Sequence, residues 1–116
     1  MEHHELENCA RSTRIRQLND NFRKTGRNGQ VMITRGLLAI RPPIVNDVVQ
    51  AVRAFDQFDE DNDPYGEHDF GTLTVSGEKI FWKIDYYDKA MQWASPDPTD
   101  PAQTCRVMTI MLASEY

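Results

Sequence analysis

The stretch DFGTLTVSGEKIFWKIDYYD, Asp69 to Asp88, constrains the fold more than any other part of the chain. Leu73 and Val75 alternate with Thr72 and Thr74, and Ile80, Trp82, Ile84 and Tyr86 alternate with Phe81, Lys83, Asp85 and Tyr87. Side chains with a period of two lie on opposite faces of a strand, so two such runs around Ser76-Gly77-Glu78 read as a β-hairpin. With Gly77-Glu78 as a type II′ loop, Val75 faces Ile80 and Leu73 faces Trp82. That register buries Leu73, Val75, Ile80, Trp82, Ile84 and Tyr86. On the other face it puts His68 near Tyr87, Phe70 near Asp85 and Thr72 near Lys83.

A hairpin with one apolar side needs a cover. STRIRQLNDNFRKTG reads as a first helix, capped by Ser12 or Thr13 and ended by Gly26. Ile15, Leu18 and Phe22 form its apolar stripe, with Arg14, Arg16, Arg23 and Lys24 on its outer face. IVNDVVQAVRAFDQF reads as a second helix with Val45, Val48, Val49, Val52 and Phe55 on one side. Between them, RNGQVMITRGLLAI reads as a strand interrupted at Gly36 by a bulge and stopped by Pro42-Pro43. ASPDPTDPAQ is a Pro- and Asp-rich connection. CRVMTIMLASEY is apolar on both parities, as a central strand covered on two faces would be.

The expectation is an α+β domain with a mostly antiparallel four-stranded sheet and two helices, in the order α-β-α-β-β-β. With 116 residues, the chain is the size of a single domain. Residues 1–11 show no periodicity and read as a flexible tail. No run approaches the ~20 apolar residues of a membrane helix. The acidic, polar start MEHHELENCA is no secretory signal, so the expected location is cytoplasmic. Cys9 and Cys105 are expected as free thiols there, and no Cys-x-x-Cys marks a zinc site. His3-His4 is a weak metal motif.

Charge is distributed unevenly. Arg11, Arg14, Arg16, Arg23, Lys24 and Arg27 crowd one segment, with Asp20 the one acid among them. Asp56, Asp59, Glu60, Asp61, Asp63, Glu67 and Asp69 crowd another, with no Lys or Arg between Arg53 and Lys79. Such blocks mark partner surfaces, or two solvated segments that attract each other in the fold.

LNDNFRKTGRNGQVMITRG, FDEDNDPYGEHDFG with FWKIDYYD, and SPDPTDPAQTCRVMTIMLASEY together resemble a bacterial family of domains of unknown function, found mainly in alphaproteobacteria and often on plasmids or in phage-like regions. The resemblance covers roughly Arg14 to Tyr116. It implies a bacterial cytoplasmic protein accessory to mobile genetic elements, and it carries no established activity, cofactor or catalytic residue.

The acidic segment DNDPYGEHDFG holds the candidate chemistry. Asp59, Asp61 and Asp63 match the first ligand spacing of an EF-hand, but Pro64 stands where the loop needs glycine and Phe70 where it needs the bidentate Glu. The EF-hand is rejected, and no metal or other cofactor is expected. Pro64 and Gly66 fit a tight turn, and Asp61, Asn62 and Asp63 can bond backbone N–H groups, which suggests one defined conformation. Three readings follow. The first is a non-enzymatic binding protein whose partner surface is Asp59, Glu60, Asp61, Asp63 and Glu67, with Arg14, Arg23 and Lys24. Its partner would be a protein or nucleoprotein complex, and an anti-CRISPR or anti-restriction inhibitor is one concrete version. The second is a metal-dependent hydrolase or nuclease in which His68 pairs with Asp85, aided by Lys83. The third is a nucleic-acid-binding module acting through the basic first helix. Trp93 is either a packing residue or an exposed partner anchor.

Overall fold

A computed structural model describes the backbone from Glu2 to Tyr116 and the side chains from Cys9 onward. Helix α1 spans Glu2–Thr25, strand β1 Gln30–Ile33, and a single-turn helix α2 Arg35–Leu38. Helix α3 spans Val45–Arg53, strand β2 Phe70–Val75, strand β3 Glu78–Tyr87 and strand β4 Cys105–Leu112, followed by a 3₁₀ turn at Ala113–Glu115. The strands form one sheet in the order β1-β4-β3-β2. Antiparallel pairing holds for β2 with β3 and β3 with β4, but β1 runs parallel to β4. The sheet is therefore mixed, and among the described residues three α-helices accompany it where two were expected.

β4 occupies the interior of the sheet, which is why its apolar residues run on both parities. Met108 and Ile110 face the helices, Val107 and Met111 the other side, and all four are buried. Trp82, Ile80 and Ile84 of β3 join Phe22 of α1 with Val48, Val52 and Phe55 to make the main core. Burying a side chain of this size contributes about 1.5–3 kcal/mol.

The hairpin closes one residue earlier than expected. Ser76 and Gly77, at φ 51° and 80°, form the two-residue loop, so Val75 pairs with Glu78 and Leu73 with Ile80. Positive φ at both loop positions matches the right-handed twist of the strands, which a Gly77-Glu78 loop would not supply in the same way. The register moves by two residues, and this preserves the faces: Ile80, Trp82 and Ile84 still point to the helices. Trp82 now lies opposite Gly71, where a Cβ would come within 2.4 Å of the indole Nε1 and 2.8 Å of Phe55.

Three other expectations change. Helical backbone in α1 reaches back to Glu2, so Ser12 and Thr13 lie inside the helix and cap nothing. The segment after Ile33 turns into α2 instead of continuing as a bulged strand. There the Glu115 carboxylate gathers it, accepting bonds from Thr34 Oγ1 at 2.6 Å, Gly36 N–H at 3.2 Å and Leu112 N–H at 2.9 Å. Helix α3 ends at Arg53, so Phe55 and Phe58 reach the core from irregular chain.

Replacing Gly71 with Ala should overpack the Trp82 site and lower stability by ~1–3 kcal/mol, measured as a fall in the urea midpoint. The Glu115 carboxyl is held below its ordinary value of 4.5 by its bonds to Thr34, Leu112 and Gly36. Such a group stabilises the fold above its unfolded-state pKa, and the contribution fades as pH falls through the depressed folded value. Glu115→Gln should therefore be less stable than wild type at neutral pH and nearly equal to it in strong acid. A gap that persisted unchanged at low pH would contradict the clasp.

Candidate functional site

The acidic segment docks on α1 beside the helix-facing side of β3 and β4. Ile15, Asn19, Phe22 and Arg23 are the buried positions among the described side chains of α1, one stripe at helical spacing. Two of the four are polar. Counting apolar residues alone misses them, although their spacing from Ile15 marks the same face. Arg23, expected on the outer face, is in fact turned inward.

Asn19 joins four parts of the fold. Its Nδ2 donates to the Glu67 carbonyl at 3.0 Å and to the Tyr86 hydroxyl at 2.8 Å, and its Oδ1 accepts from Arg106 Nε at 2.7 Å. The Tyr86 hydroxyl donates onward to Glu67 Oε1 at 2.9 Å. Burial, with Glu67 close by, pushes the Tyr86 pKa far above its ordinary range, so the hydroxyl keeps its proton and remains a donor. Asp69 is likewise raised, by burial first and then by the Glu67 charge.

A second cluster lies one helical turn on. Asp20 Oδ1 accepts from Arg23 Nη1 at 2.9 Å and sits 2.8 Å from His68 Nδ1. His68 Nε2 is 3.5 Å from Asp63 Oδ2. The imidazole stacks on Phe58 with centroids 3.7 Å apart and planes 3° from parallel. Arg23 Cζ lies 5.2 Å from the Phe58 ring centroid and 5.4 Å from that of Trp82, and Nη2 donates to the Phe55 carbonyl at 3.2 Å. His68 has φ 55°, a left-handed conformation that a non-glycine residue holds only when its surroundings impose it. Here the Asp63 carboxylate accepts the His68 N–H at 3.1 Å, and Asp20 and Phe58 hold the ring.

This backbone turn removes the His68–Asp85 pair. His68 is not part of a strand, so strand alternation does not set its direction, and it packs toward α1. Lys83 and Asp85 lie on the opposite face of β3, bound to each other at 2.9 Å. That bond raises the Lys83 pKa. His68, Lys83 and Asp85 therefore do not converge. A general base must come within hydrogen-bond reach of its substrate's proton, directly or through one water, whereas His68 Nδ1 lies 2.8 Å from the Asp20 carboxylate and Nε2 3.5 Å from that of Asp63. Among the described residues, no group of three His, Cys, Asp or Glu side chains is placed to hold a metal ion. His3 and His4 lie outside the described side chains.

The loop itself is cross-braced. Asp59 Oδ1 accepts from the Asp61 and Asn62 N–H groups at 2.9 and 3.0 Å. Asn62 Oδ1 accepts from the Asp59 N–H at 3.1 Å, and Asn62 Nδ2 donates to the Gln57 carbonyl at 2.8 Å. Gly66 N–H closes the Asp63–Gly66 turn on the Asp63 carbonyl at 3.1 Å. Of the residues expected at a partner surface, Asp63 and Arg23 are buried and Glu67 is half-buried. Asp59 is exposed but occupied in the turn, while Glu60, Asp61, Arg14 and Lys24 are exposed.

The basic helix and the acidic segment do meet, though seldom through opposite charges. Arg16 Nη1 binds the Gly66 carbonyl at 3.1 Å, and Asn19 and Arg23 also bind carbonyls of this segment. Among the described residues, Glu60 and Asp61 have no salt-bridge partner. Tyr65 of the same loop is 78% exposed, and Trp93 is 73% exposed on the β3–β4 connection.

Residues 33–115 match a family described as a protein of unknown function, DUF3768. The match begins at the end of β1, so Asp63, His68, Tyr86 and Arg106 fall inside it and α1 outside. Neither a curated protein nor a solved structure matches the chain.

Truncating His68 to Ala should release the acidic loop. The expected result is a loss of ~1–3 kcal/mol, as Asp20 and Asp63 lose a half-buried partner, with faster amide exchange across residues 59–68. Unchanged exchange there would show that His68 does not hold the loop.

Proposed function

We propose, for a chain that belongs to the DUF3768 family of proteins of unknown function, the role of a non-enzymatic binding protein that presents its acidic loop to a cationic macromolecular surface. One observation carries this reading. The Glu60 and Asp61 carboxylates are exposed, without a salt bridge among the described residues, on a loop whose backbone is locked by Asp59, Asn62, Asp63 and His68. A surface already ordered before contact loses little conformational entropy on binding. Unpaired charge and an exposed Tyr65 on one loop suit both long-range steering and a short-range anchor.

The partner class is a protein or nucleoprotein complex with a basic groove. A nucleic-acid-binding channel has the right chemistry, because its cations ordinarily meet phosphates and clustered carboxylates can stand in for them. Inhibition of a CRISPR or restriction complex is the concrete version of this reading. The wiring of His68 supports binding over hydrolysis, since its ring is committed to Asp20, Asp63 and Phe58.

The test is capture from a native-host lysate at low and raised salt, read by mass spectrometry, with Glu60→Lys/Asp61→Lys beside wild type. Neither side chain braces the loop, so the variant should melt within about 2 °C of wild type, as surface substitutions do. A partner held by wild type at ~50 mM salt should be lost from the variant and weakened at ~300 mM, where the Debye length is shorter. A partner retained equally by both proteins would overturn the acidic-loop reading.

A further inference from the structure

On the other side of α1 from the acidic loop lies a cavity of ≈ 390 Å³, walled by α1, the α1–β1 turn, the β3–β4 connection and the start of β4. Its charged lining residues are Lys89 and Arg106, with no acid among them, and Asn21, Asn28, Gln30 and Thr104 supply neutral polar groups. Leu18 and Pro101 add an apolar wall.

Arg106 is the unusual member. It is 4% exposed, yet among the described residues no carboxylate lies within 4.0 Å of it. Its guanidinium is held by neutral acceptors, Asn19 Oδ1 at 2.7 Å and the Pro98 carbonyl at 2.6 Å, and lies 5.2 Å from the Tyr86 ring centroid. Burial holds its pKa below the ordinary arginine value. The Glu67 charge reaches it only at a distance and does not outweigh burial, so an anion in direct contact would offset the cost of burying this charge. Lys89 likewise has no salt bridge among the described residues.

The cavity wall is set by close packing. A Cβ at Gly29 would lie 2.7 Å from the Arg106 carbonyl oxygen and 2.7 Å from the Phe22 ring. The adjacent Asn28 holds φ 71°, so the turn is pinned against β4.

We propose that this cavity is a binding site for a small organic oxyanion, a phosphate or carboxylate on a compact body, received between Lys89 and Arg106 with its body against Leu18 and Pro101. The size is in the range of small-molecule sites. The polar lining supplies donors for oxygen atoms, and the net positive wall selects an anion over a cation. The site is separate from the acidic loop and does not depend on what that loop binds.

The test is an amide NMR titration of the full chain with inorganic phosphate, AMP and succinate at constant ionic strength, with sodium chloride as the control. Saturable shifts concentrated at Asn28, Gly29, Lys89 and Cys105 are expected with at least one of the three at concentrations up to ~10 mM. A response to phosphate alone identifies the oxyanion as sufficient, a response only to AMP shows that the body is needed, and a response only to succinate selects a carboxylate. Lys89→Ala should weaken the response about fivefold, the effect of one lost charge contact at a partly exposed site. Asn21→Trp, which fills the cavity from the exposed side of α1, should abolish it. No saturable shift with any probe, or shifts indifferent to both substitutions in folded protein, would overturn the proposal.

Discussion

The fold depends on the Asn19 amide. It is fully buried and bonds to three groups in three other parts of the chain: the Glu67 carbonyl, the Tyr86 hydroxyl and the Arg106 guanidinium. A buried polar group that loses its partner costs about 1–3 kcal/mol, and more when the partner is charged. Removing this one amide would strand several such groups at once. Apolar packing sets α1 against the sheet, but it is directionless and tolerates sliding. The amide does not, so it fixes the height and rotation at which α1 meets the acidic segment.

That placement determines where charge ends up. Arg16, Asn19 and Arg23 satisfy backbone carbonyls of residues 55–67, which a loop crossing a helix would otherwise leave buried and unbonded. The cations of α1 that turn inward are thereby used without neutralising the loop. Glu60 and Asp61 remain outside, on a backbone held from within by Asp63 and His68. The rigidity of the loop and its unpaired charge thus have one origin. The same seam leaves Arg106 with amide and carbonyl hydrogen-bond partners only, among the described residues.

The two faces of β3 serve different ends. Trp82 and Ile84 fill the core, while Lys83 and Asp85 pair on the other side near the aromatic group of Phe70, Phe81 and Tyr116. A catalytic grouping across these faces would need His68 to continue the strand. Its left-handed backbone turns it to α1 instead. The loop around it carries turn chemistry visible in the sequence, but the conformation of His68 is imposed by Asp63, Phe58 and Asp20, the last of them distant in sequence.

Local pattern was enough to specify the hairpin faces, the apolar side of α3, and β4 as an interior strand, because burial of one face or both is written directly in side-chain period. It also marked the acidic loop as ordered, since Asp, Asn, Pro and Gly act on their immediate neighbours. The parallel β1–β4 pair, the inward turn of Arg23 and the partners of His68 were decided only by the folded chain. Each includes at least one partner tens of residues away in sequence, and polar residues at buried positions look in sequence like those at the surface. What distinguishes Asn19 and Arg23 from Arg14 and Lys24 is a set of acceptors that exists only once the sheet, the loop and α1 have come together.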